Sequence, residues 1–79
     1  MSSSQAYILI ETLPGKSSEL IEVLKVVKEF KTLHFVSGPY DVIAFVEAAD
    51  LKSIGEVLIK KIRGTGFVSR TVTCIVMDQ

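Results

Sequence analysis

Few residues in this 79-residue chain could do covalent or acid–base chemistry, and each is short of partners. His34 is the only histidine and Cys74 the only cysteine. A nucleophile needs a base within hydrogen-bond reach, and no motif sets a serine or cysteine against His34. His34 therefore reads as a histidine packed in a strand. Cys74 alternates with Val72 and Val76 and reads as buried filler. Glu11, Asp41 and Glu47 could pair as general acid and base, but nothing in their spacing brings two together. One cysteine and one histidine also rule out a disulfide and a zinc cluster within the chain. Gly15-Lys16-Ser17 resembles the tail of a phosphate-binding loop. That loop needs a glycine five residues before Gly15, where Ile10 stands, so the segment reads as a turn and helix cap. The expectation is no catalytic residue, no metal and no cofactor: a protein that binds rather than reacts.

Two clusters suit binding. In Ser37-Gly38-Pro39-Tyr40-Asp41 the glycine permits close backbone approach and the proline stiffens the turn. Tyr40 and Asp41 add polar groups, and a carboxylate there could take hydrogen bonds from a ligand ammonium. The plainer alternative is a turn in which Asp41 bonds to nearby backbone amides. In Arg70-Thr71-x-Thr73 the two threonines are one strand repeat apart, so their hydroxyls share a face.

The elements that must position these clusters follow from periodicity. Residues 6–12 read as a strand, rich in β-branched and aromatic side chains, and 13–16 as a turn. Ser17 or Ser18 caps a helix expected to run through Lys31, with Leu20, Val23, Leu24, Val27 and Phe30 as its apolar stripe. Ile21 and Val26 widen that stripe. Strands are expected over 33–36 and 41–48, joined as an antiparallel hairpin. Asp50 caps a second helix with Leu51, Ile54, Leu58 and Ile62 on one face, stopped by Gly64-Thr65-Gly66. A final strand covers 68–77. The order is β-α-β-β-α-β, an α+β ferredoxin-like sandwich with two helices on one face of a four-stranded antiparallel sheet. One domain over 6–77 is expected, after a frayed amino terminus of five residues.

Composition adds constraints. Nine Lys/Arg balance nine Asp/Glu, so no net positive field draws the chain to phosphate backbones or anionic membranes. Lys60-Lys61-x-Arg63 reads as a solvated helix end. Base-stacking modules share this element order, but the strand Asp41-Val42-Ile43-Ala44-Phe45-Val46-Glu47 has an acid at each end and a single aromatic, against RNA binding. The apolar runs 7–10 and 42–46 are strand-sized, far below a membrane span. The amino terminus has no signal-peptide character and the cysteine is single, so a cytoplasmic protein is expected. Yet 48% of the residues are apolar. A domain this short buries only roughly 60% of its unfolded surface. The strands are apolar on both sides: Val42, Ala44 and Val46 against Ile43 and Phe45, Ile8 and Ile10 against Tyr7 and Leu9. Two helices cover one face, so a second copy is expected on the other.

Taken together, Gly38-x-Tyr40-Asp41 with Val42-Ile43-Ala44, then Val46-x-Ala48-x-Asp50-Leu51, then Gly66-x-Val68-x-Arg70-Thr71-x-Thr73 resemble the effector (RAM) domain of the Lrp/AsnC transcription regulators. The resemblance covers about residues 5–77. It implies a fold of the dimeric α+β-barrel type, dimers that close into rings, and an amino-acid effector bound between dimers. By position Gly38, Tyr40, Asp41, Thr71 and Thr73 would be the ligand-binding residues. Gly38 and main-chain groups would hold the ligand carboxylate, and Asp41 its ammonium. The regulators carry an amino-terminal helix-turn-helix domain; only about five residues precede the first strand here. The expectation is a stand-alone effector domain that does not contact DNA directly and acts through partners such as full-length regulators. A small dimeric α+β-barrel enzyme and an ACT-type amino-acid sensor, with its site near Pro14-Gly15, are the alternatives.

Overall fold

The computed structural model describes residues 3–78. Strand β1 (Ser4–Thr12) leads to helix α1 (Ser17–Leu24), strands β2 (Phe30–Phe35) and β3 (Val42–Ala48), helix α2 (Leu51–Val57) and strand β4 (Val68–Ile75). The sheet order is β2-β3-β1-β4 and each neighbouring pair is antiparallel. The fold is thus the ferredoxin-like α+β arrangement that the element order predicts.

The core lies between the sheet and the helices. Ala6, Ile8 and Ile10 of β1 pair with Val46, Ala44 and Val42 of β3, and all six are fully buried. Leu20 and Leu24 of α1 and Ile54 and Val57 of α2 close over them. Because a strand alternates with period two, the intervening residues face away. Row by row, that second face carries Thr32, Phe45, Tyr7 and Cys74, then His34, Ile43, Leu9 and Val72. Among the described residues no helix lies on it. Tyr7 is 48% and Val72 40% exposed, and the Tyr7 and Phe45 rings touch at 4.8 Å. The expectation of a buried Cys74 fails in the single chain: its thiol is exposed on this open face, as is His34.

The helices differ from expectation in instructive ways. Helix α1 stops at Leu24, not Lys31. Beyond it the chain tightens into turns, with the Val27 amide bonded to the Leu24 carbonyl and the Phe30 amide to the Val27 carbonyl. Phe30 then joins the sheet opposite Val46, and the Glu47 amide bonds to the Glu29 carbonyl. Sheet pairing and core burial of Phe30 together outcompete one more helical turn across two β-branched valines. The wide stripe is buried only in part: Leu20 and Leu24 are fully buried and Ile21 and Val27 pack against the core, while Val23 is 43% and Val26 80% exposed. Neither Ser17 nor Ser18 caps α1. Lys16 holds the cap position without a side-chain bond, because the Leu13–Lys16 turn runs straight into the helix. Asp50 does cap α2, its carboxylate accepting from the Ser53 amide at 2.8 Å. Leu51, expected on the inner face, is 57% exposed, and Val57 packs instead. After Val57 the helix widens into a π turn over Leu58–Ile62, which spaces the buried Val57 and Ile62 five residues apart. Gly66, at φ +79°, ends the helical stretch. Among the described residues no helix is long and apolar enough to cross a membrane.

Candidate functional site

The expected binding residues gather at the edge strand β4 and the turn before β3. The turn over 37–40 is closed by the Val36 amide on the Asp41 carbonyl at 3.0 Å, and the Asp41 amide reaches the Ile10 carbonyl at 3.0 Å. Gly38 sits at φ +137° with open space around it, so backbone conformation and not crowding calls for glycine. Tyr40 lies beneath the guanidinium of Arg70, 4.9 Å from ring centre to Cζ.

Asp41 is held by Thr12. One carboxylate oxygen accepts from the Thr12 amide at 2.9 Å and the other from the Thr12 hydroxyl. Burial pushes the Asp41 carboxyl up, but the hydroxyl and amide of Thr12, with the residue's own backbone, outweigh it and leave the group below its ordinary value. The carboxylate thus ties the turn to the end of β1, 29 positions away in sequence.

Glu11 occupies the neighbouring position. It accepts from the Ser69 hydroxyl at 2.7 Å and pairs with Arg70 Nε at 3.2 Å. Nothing in the sequence flagged Glu11, Thr12 or Ser69 as part of this cluster. They meet because the β1–β4 register shifts between Glu11 and Thr12, and a bulge leaves no local mark here. At the far end of β3, Glu47 accepts from Ser3 and Gln5, and those bonds hold its carboxyl below the usual range. Glu11, Asp41 and Glu47 thus serve three different sets of partners, and no acid–base pair forms from them.

The threonines stand on the other side of β4. Thr71 pairs with Ile10 and Thr73 with Ile8, both core residues, so the two half-buried threonines share the helix-bearing face. Arg70 pairs with Glu11 and lies on the open face. The turn therefore meets β4 through Arg70 on the open face, while the threonines lie on the other face. Two shallow depressions, of about 220 and 290 Å³, lie at the other end of β3 beside α2. They are lined by Glu29, Ser53 and lysines such as Lys31 and Lys60, and hold none of the five expected residues.

Comparison with known proteins decides the family. The model of the Lrp/AsnC ligand binding domain matches residues 5–79. The chain belongs to the Lrp/AsnC family. It is 29% identical over 73 residues to an uncharacterized HTH-type transcriptional regulator of Pyrococcus furiosus, covering 89% of this chain and 49% of the relative. The chain thus spans about half the length of the curated relative it matches. Among solved structures, FFRP-DM1 is similar at 35% identity and a TM-score of 0.89, over 94% of this chain and 99% of that one. Escherichia coli AsnC shares the fold, with a TM-score of 0.89 at 21% identity, over 96% of this chain and 52% of its own. The matching family model is that of a ligand-binding domain, and the curated relative is named as an HTH-type transcriptional regulator.

Proposed function

We propose that this Lrp/AsnC domain binds an amino acid at an interface between subunits and relays its presence to transcription through partner proteins in the cytoplasm, without contacting DNA itself and without catalysis. The site is the edge of β4: Gly38, Tyr40 and Asp41 from the turn, Thr71 and Thr73 from the strand. The observation that carries the reading is the junction of turn and strand, where Arg70 covers Tyr40 and Thr12 binds Asp41. With the threonines on the opposite face, a ligand touching both groups wraps the sheet edge. Such a ligand needs a second wall, which a neighbouring subunit supplies. The open sheet face supports association independently. Its middle rows, from Tyr7 and Phe45 to Leu9, Ile43 and Val72, hold no carboxylate, lysine or arginine, and a second copy offers the same surface in return. Dimers made this way leave both β4 edges at the rim, free to meet other dimers in a ring or to join full-length regulators.

Calorimetric titration with the twenty common amino acids tests the reading, with light scattering for the assembly. At least one amino acid is expected to bind and to shift the oligomer distribution. Asp41→Ala, checked by thermal melting for retained fold, is expected to weaken that binding. An unchanged affinity in Asp41→Ala would place the site elsewhere.

A further inference from the structure

We infer that Arg70 is the anchor for the ligand's carboxylate, a role beyond the five site residues above; the inference rests on the proposed amino-acid site and adds its recognition chemistry. Three observations carry it. First, position: the guanidinium lies over the ring of Tyr40, so it borders the turn from the open face. Second, orientation: Nε faces Glu11 Oε1 at 3.2 Å, and that oxygen is itself fixed by the Ser69 hydroxyl at 2.7 Å. A planar guanidinium held at Nε and stacked on a ring has its plane set before any ligand arrives, which lowers the ordering cost of binding. Third, unused capacity: guanidinium carries five N–H donors, and the contacts found among the described residues engage only Nε and the face. The two terminal nitrogens are left as a fork matching a carboxylate, which can take two parallel hydrogen bonds.

The other charged groups nearby fit this division of labour. Asp41 and Glu11 are anions and repel a carboxylate; both are bound by donors from Thr12 and Ser69. They suit the ammonium end of the ligand. Arg70 is the cation that reaches Tyr40. A lysine at position 70 would keep the charge but lose the fork and the stacking plane.

The test compares an amino acid with its own α-amide, which keeps the ammonium and side chain and removes only the carboxylate charge. The tightest-binding of the twenty L-amino acids and its amide are titrated into the wild-type chain, Arg70→Gln and Arg70→Lys. The wild type is expected to prefer the free acid by about tenfold or more, the order of a charge-assisted bidentate contact. Arg70→Gln should bring the acid down to the amide's affinity while leaving the amide within about twofold. Arg70→Lys should restore part of the preference. A parallel loss of acid and amide in Arg70→Gln would overturn the inference, since it would mean that Arg70 only props Tyr40. Preserved acid preference in that variant, or none in a wild type that binds, overturns it while leaving the proposed function standing. If no amino acid binds the wild type, both fall together. Arg70 is 57% exposed, so thermal melts of the variants should stay near wild type.

Discussion

The two faces of one sheet carry nearly the same residue types and meet opposite fates. On the inner face Ala6, Ile8, Ile10, Val42, Ala44 and Val46 are fully buried beneath two helices. On the outer face Tyr7, Leu9, Ile43, Phe45 and Val72 keep part of their surface in water, with His34 and Cys74 among them. Burial of apolar area stabilises by about 25 cal/mol per Å² wherever it occurs, so the outer face holds unused driving force. The lesson is that apolar alternation marks which residues want cover, while the number of helices decides which are covered within the chain.

The largest test of this contrast is Ile8→Ala. Removing a fully buried side chain between Ala44 and Thr73 should cost about 2–5 kcal/mol in urea unfolding. Phe45→Asp on the outer face should leave the fold of the dilute chain intact and act on association. Losing an aromatic anchor and gaining a charge there should weaken self-association about thirtyfold or more in sedimentation equilibrium. Equal destabilisation by the two changes under dilute conditions would erase the distinction between the faces. The smallest effect concerns the seam at the sheet end. Asp41→Asn should lose about 1 kcal/mol, a charge-assisted bond partly screened by solvent. The sign with pH is definite: the folded Asp41 carboxyl lies below its unfolded value, so its contribution is complete above the unfolded value and disappears as pH falls through the folded one. The gap between wild type and Asp41→Asn should therefore close in acid; a pH-independent gap would show that packing, not charge, holds the seam.

Much of this architecture was legible because its signals are local. The period-two runs at 6–10 and 42–46 named both faces of the sheet before any topology was known, and Asp50 capped α2 through its bond to Ser53, three residues away. The tight segment between β2 and β3 announced a hairpin, and the quoted motifs carried the Lrp/AsnC resemblance that the domain match established. The length of α1 was not legible, because the residues after Leu24 have acceptable helical spacing until β3 competes for Phe30. Of the candidate site, the turn and the strand could be named, but not how they meet.

What the sequence by itself determined is the set of apolar periods, the element order and the glycine-dependent turn, since each depends on neighbours within a few residues. Only the tertiary structure decided that Asp41 would be tied to Thr12, that Arg70 would cover Tyr40, and that Thr71 and Thr73 would face away from Arg70. Those three facts depend on strand register and on one shift between Glu11 and Thr12. Register is set by how whole strands bury their faces against one another, a long-range balance that no short stretch of chain records.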